Sequence, residues 1–253
     1  MSATRTRIKL CGLRGAAQAV LAAELGADLI GLVFAEQSRR RVTVEEARRV
    51  VQALGPEAGS LRQLAGDGLP AGGWFARSAA ALERTLTERR PLVVGVFGDQ
   101  PTSLINGVAD AVPLDVVQLS GTGPWEQALE IRRPVIKALH VRPELAPDEV
   151  LYAAEVGTAA LVLLDTAVPG TIGGTGQVFD WSLAARVAPR LPFLLAGGLT
   201  PENAGGAVAC VRPWGVDVSS GLETDGAKDP EKMRAFVSAV RAADANGRAA
   251  GER

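Results

Sequence analysis

A single histidine, His140, stands in 253 residues. That scarcity excludes a histidine-cluster metal site. It leaves a Ser-His-Asp triad only one address, just after the apolar run Val135-Leu139, where a surface or supporting histidine fits better. Cysteine is nearly absent too. Cys11 and Cys210 lie roughly 200 residues apart, which is neither a disulfide framework nor a metal-ligand spacing. Thiols this sparse fit a reducing, cytoplasmic compartment. No apolar run reaches the ~18 residues of a membrane span, and the short polar start carries no apolar signal core. Charge of one sign is also missing: 27 Lys and Arg face 28 Asp and Glu, a net charge of -1. No broad basic field draws in nucleic acid or an anionic membrane. A phosphate-bearing ligand would have to be held by local geometry.

What is present is an alternation. Eight short apolar runs read as strands: Ile8-Cys11, Leu29-Phe34, Leu92-Phe97, Val116-Leu119, Val135-Leu139, Ala160-Asp165, Phe193-Ala196 and Val216-Ser219. Most are nearly continuous in Val, Leu and Ile, as strands covered on both faces should be. Amphipathic stretches separate them, at Ala16-Leu25, Val44-Leu54, Pro124-Ile131, Pro147-Val156, Trp181-Ala188, Pro201-Ala209 and Pro230-Val240, with a weaker helical pattern at Thr102-Ala109. Thr200-Pro201 and Asp229-Pro230 each read as an N-cap followed by proline at the first helical position. Eight such alternations predict a single (β/α)8 barrel over residues 1–245. A doubly wound sheet is the alternative, but no G-x-G-x-x-G follows the first strand. About 40 residues separate the second helix from the third strand, where a connection usually needs ~2–6. Within this insertion, residues 56–90, Ala76-Arg90 predicts an extra helix. Its place before a strand puts it at the amino-terminal face, as a surface elaboration. Residues 246–253 read as a flexible tail.

Chemistry in a parallel barrel gathers at the carboxyl ends of the strands. Cys11 ends the first strand. It is either a small core residue or a thiolate base or nucleophile. Asp165 ends the sixth, as a solvated or capping carboxylate or as an acid. Both fall on one rim, where a thiol and a carboxyl make a base–acid pair. Ser38-Arg39-Arg40-Arg41 follows the second strand. Arg39 and Arg41 read as solvated charge, while one inward arginine would suit a carboxylate. The glycine loop after Asp165, containing Gly174, the turn Ala196-Gly197-Gly198-Leu199 and the turn Ser219-Ser220-Gly221 are small-residue loops. Each alone is ordinary turn chemistry. Together, after strands six to eight, they can offer backbone N–H groups to a phosphate.

The sequence resembles the phosphoribosylanthranilate isomerase family of tryptophan biosynthesis. The likeness runs through Lys9-Leu10-Cys11-Gly12-Leu13, Glu24-Leu25-Gly26-Ala27-Asp28, Val94-Gly95-Val96-Phe97, Asp115-Val116-Val117-Gln118-Leu119 and Ile136-Lys137-Ala138. It continues through Asp165 to Trp181, Leu195 to Asn203 and Gly215 to Glu223. The resemblance implies an Amadori rearrangement of a phosphorylated aminosugar, with no metal and no organic cofactor; a monomer or homodimer is expected. It implies Cys11 as general base, Asp165 as general acid and Arg40 as the residue that binds anthranilate. Gly174, Gly197, Gly198, Ser219, Ser220 and Gly221 then hold the phosphate. The chain departs from the family at Ser120, where histidine is usual, at Arg14 to Gln18, and at Arg39 and Arg41. An isomerase of a related aminosugar phosphate, or a barrel that binds phosphate ligands without turnover, would use the same phosphate loops.

Overall fold

The computed structural model describes residues 5–55, 73–88, 91–141, 144–154, 156–165 and 181–251. The strands are β1 (Arg7–Cys11), β2 (Leu29–Val33), β3 (Leu92–Phe97), β4 (Val116–Leu119), β5 (Val135–His140), β6 (Leu161–Asp165), β7 (Phe193–Ala196) and β8 (Gly215–Val218). All pair in parallel, each with the next, and β8 closes on β1. The closed eight-strand barrel predicted from the alternation is the observed architecture. The helices are α1 (Ala16–Glu24), α2 (Val44–Leu54), α3 (Trp74–Glu88), α4 (Thr102–Ala111), α5 (Gln127–Glu130), α6 (Pro147–Ala153), α7 (Ser182–Val187), α8 (Pro201–Val211) and α9 (Pro230–Gly251). A small antiparallel hairpin, β9 (Glu223–Thr224) with β10 (Ala227–Lys228), sits between β8 and α9. Among the described residues no helix is long and apolar enough to cross a membrane.

Strand periodicity sorts the side chains into two cores. Ile8, Leu10, Ile30, Leu32, Val93 and Val117 face the helices, in one buried cluster. Cys11, Leu29, Val94, Val116, Ile136, Leu161 and Leu194 face the barrel axis, in another. The strand runs look uniformly apolar because both faces are covered. Helix starts follow the local chemistry. Thr43 and Glu46 form a reciprocal capping box on α2. Pro201 and Pro230 open α8 and α9, and Asp229 Oδ1 accepts from Glu231 N–H at 2.9 Å.

Two expectations change. The helix in the insertion is not a surface elaboration. It lies at the amino-terminal face as predicted, yet its Ala79, Leu82 and Leu86 belong to the axial core with Leu29, Leu92 and Leu161. Trp74 Nε1 donates to the Ala159 carbonyl, and Arg7 at the start of β1 pairs with Glu83. Helix α3 therefore closes the barrel floor. Leu82 and Leu86 contribute about 1.5–3 kcal/mol each by burial. The last helix also runs past Val240 to Gly251, through residues read as tail. Residues 56–72 of the insertion lie outside the described residues.

Candidate active site

β1 is a strand with a polar inner face. Arg7, Lys9 and Cys11 alternate with Ile8 and Leu10. Lys9 is fully buried, and its Nζ lies 2.9 Å from Asp217 Oδ1, which is 9% exposed. The two residues are register partners on β1 and β8. Two positions above Lys9, Cys11 points the same way, and the Lys9 ammonium acts on its thiol from below. Burial alone would lower Lys9; the attraction of Asp217 and then Cys11 outweighs it and holds the amine charged. Burial pushes the Cys11 thiol up, while Lys9 pulls it back and Asp217 opposes that pull. Burial likewise raises Asp217. Gly31 makes the room: a Cβ there would stand 2.6 Å from Cys11 Sγ.

Asp165 ends β6 on the same inward parity as Leu161 and Leu163. Cys11 and Asp165 thus both sit at the carboxyl rim, as predicted from their places in the sequence. Asp165 is 29% exposed, and its Oδ2 lies 3.3 Å from Nδ1 of His140. His140 is its direct register partner on β5.

Arg40 reaches over the rim. Its Nε and Nη2 bond both oxygens of Glu223, at 2.5 and 2.9 Å. Glu223 also takes Lys228 at 3.0 Å and Arg39 at 2.7 Å. Burial would raise Glu223, but the bonds from Arg40 and Lys228 prevail and lower it to about 2. Three cations around one carboxylate leave a local excess of positive charge, which the net charge of the chain conceals. Arg40 lies flat on Gly12: a Cβ there would meet Arg40 Cδ at 2.6 Å, and Gly12 has φ +77. Gly12, Arg40, Glu223 and Lys228 line a cavity of about 300 Å³ together with Arg14 and Gln18.

The late loops interlock. Gly197 and Gly198 take φ of +92 and +65. Gly221 has no space for a side chain, because a Cβ would stand 2.0 Å from the Leu199 carbonyl. Residues Ser220–Leu222 form a 3-10 turn. Lys228 Nζ donates to the Ser219 carbonyl at 2.9 Å, and Ser219 Oγ donates to the Cys11 carbonyl at 3.2 Å. The loop after β8 is therefore tied both to the cation cluster and to the end of β1. Gly174, predicted beside them, lies outside the described residues.

The sequence reading missed Lys9, Asp217, Glu223 and Lys228 as participants. Lys9 and Asp217 carried a signal, since each is a charge on the inward parity of an otherwise apolar strand. Glu223 and Lys228 carried none, because their role depends on the small hairpin bringing them under Arg40. The charged groups that act on the Cys11 thiol are Lys9, Asp217 and Lys228.

The family model for N-(5'phosphoribosyl)anthranilate (PRA) isomerase matches residues 74–239. The chain is 38% identical to N-(5'-phosphoribosyl)anthranilate isomerase of Dehalococcoides mccartyi, over 95% of this chain and 98% of that protein. The crystal structure of phosphoribosyl anthranilate isomerase from Thermotoga maritima superposes with a TM-score of 0.74 at 34% identity, covering 94% of this chain and 99% of that one. A crystal structure of phosphoribosyl anthranilate isomerase in complex with reduced 1-(o-carboxyphenylamino)-1-deoxyribulose 5-phosphate superposes with a TM-score of 0.70 at 32% identity, with the same coverage.

Proposed function

Because the chain belongs to the N-(5'-phosphoribosyl)anthranilate isomerase family, we propose that it is an intramolecular aldose–ketose isomerase of tryptophan biosynthesis. It carries out the Amadori rearrangement of N-(5-phosphoribosyl)anthranilate to 1-(2-carboxyphenylamino)-1-deoxyribulose 5-phosphate. The observation that best supports this is the rim itself: one thiol and one carboxyl on the inward faces of β1 and β6, with a cation cluster between the loops.

Asp165 gives a proton to the furanose ring oxygen, the C1'–O4' bond breaks toward oxygen, and an iminium forms. Cys11, as thiolate, takes the proton from C2'. The enolamine then becomes the ketone: C1' gains a proton and the 2'-hydroxyl loses one. A thiolate in a dry barrel needs a counter-charge, and Lys9 provides it from directly below. Arg40 is the partner for the anthranilate carboxylate. Glu223 occupies Nε and Nη2, which leaves the Nη1 side to the ligand. The phosphate belongs at Gly197, Gly198, Ser219, Ser220 and Gly221, where backbone N–H groups and the nearby Lys228 favour an anion. We assign the enzyme to the cytoplasm on its sparse cysteines.

The direct test is turnover of phosphoribosylanthranilate by the wild type, Cys11→Ala and Asp165→Asn. Each substitution should lower kcat on the order of 10²–10⁴-fold. Full activity in both would remove the assigned roles.

A further inference from the structure

Among the described residues, the sole histidine has two hydrogen-bonding neighbours, and they set its protonation chemistry. His140 and Asp165 are opposite each other on β5 and β6. The pleat sends both side chains to one face, and Val141 N–H bonds the Asp165 carbonyl at 3.0 Å to hold that register at the rim. Nε2 of His140 lies 3.2 Å from the Ser120 carbonyl. A carbonyl can only accept, so Nε2 carries a hydrogen. Nδ1 is then the nitrogen that gains and loses a proton, and it faces Asp165 Oδ2.

We propose that His140 and Asp165 form a dyad holding one proton, and that this proton opens the substrate ring. The proposal rests on the reading of Asp165 as the acid. In the cycle the dyad loses its proton to the ring oxygen as the C1'–O4' electron pair moves to that oxygen. It regains one from the 2'-hydroxyl when the enolamine becomes the ketone, while C1' receives the proton that Cys11 had taken from C2'. Nothing is consumed, as an isomerisation requires. Among the described residues, the groups acting on the imidazole are Asp165 from β6, the Ser120 carbonyl after β4 and, by its charge, Lys137 on β5 itself. The Asp165 hydrogen bond raises His140 above the ordinary imidazole value; burial lowers it, the Ser120 carbonyl raises it, and Lys137 lowers it.

The physical consequence concerns pH. A lone aspartic acid gives up its proton near pH ~4, whereas a carboxyl sharing with an imidazole of raised value keeps one proton in the pair beyond pH ~6.5. His140 is what lets an aspartate serve as an acid near neutrality.

The chain has one histidine, so its imidazole resonances in an NMR titration are assigned without ambiguity. The expected result is titration above the ordinary value in the wild type, falling in Asp165→Asn. Kinetically, His140→Gln should move the alkaline limb of the kcat profile to lower pH. It should lose about tenfold or more at pH ~7.5 and recover most of that at pH ~5. An imidazole unaffected by Asp165→Asn, or a His140→Gln profile parallel to the wild type, would overturn the dyad. The acid assignment stands or falls separately, on whether Asp165→Asn still turns over substrate.

Discussion

Two cross-strand pairs flank the proposed chemistry, and they are built alike. Lys9 faces Asp217 across β1 and β8, and His140 faces Asp165 across β5 and β6. Each pair sets a cation-forming group beside a carboxylate on adjacent parallel strands. They differ in water. The first is buried, at 0% and 9% exposure, and the second is open, at 53% and 29%. A dry pair cannot trade protons with solvent, so its charge is fixed and acts as a field. A wet pair titrates. On the proposed roles, the base has the fixed charge beside it and the acid the exchangeable one. That division suits a thiolate, which needs a constant counter-charge, and an acid, which must be reloaded every turnover.

The sharpest way to break this contrast is inside the dry pair. Lys9→Met leaves Asp217 buried without its partner, which should cost on the order of 3–5 kcal/mol of stability in denaturant melts. The same change removes the counter-charge of Cys11. Asp217→Asn does the opposite to the thiol: Lys9 is left with Cys11 as its nearest anion. Iodoacetamide alkylation of Cys11 at neutral pH, in a Cys210→Ser background, should slow on the order of tenfold in Lys9→Met and quicken by a similar factor in Asp217→Asn. Opposite signs are the signature of a shared charge. If both variants shift in the same direction, the pair is scaffolding and the comparison fails.

This pair also marks where the sequence stops being legible. All eight strands were readable, because a strand buried on both faces is a short block of Val, Leu and Ile whatever surrounds it. Cys11 and Asp165 were readable because a barrel places strand ends at one rim. The helix over Trp74–Glu88 was visible as a helix, but its job was not: which way Leu82 and Leu86 point depends on closure of the barrel above them. Glu223 was visible only inside a motif, since three cations from two distant segments define its role. His140 was readable as a residue at or near the surface. Its partner was not, because register between β5 and β6 is a property of the closed sheet.

Glu223 is the intermediate case and gives the smallest predicted effect. It lies at the wet rim, yet only 5% of its side chain is exposed. Burial would raise it, but Arg40 and Lys228 outweigh that and hold it ionised, down to about 2. If dryness decides between fixed and exchangeable charge, Glu223 should behave as the first kind: an anion that orients Arg40 and never takes part in proton transfer. Glu223→Gln then frees the guanidinium to wander, raising KM about 3–10-fold with kcat and its pH profile unchanged, the pattern of lost uniform binding. The sign of its linkage is also fixed. A carboxyl depressed on folding adds stability that is present above its ordinary value near ~4.5 and fades as the pH falls toward about 2. Melting followed from neutral pH into acid should therefore separate wild type from Glu223→Gln most clearly at neutral pH, with the gap closing below pH ~4. A shift in the pH profile of kcat would instead place Glu223 among the groups that trade protons. Exposure to water would then no longer be what separates the two kinds of charge at this rim.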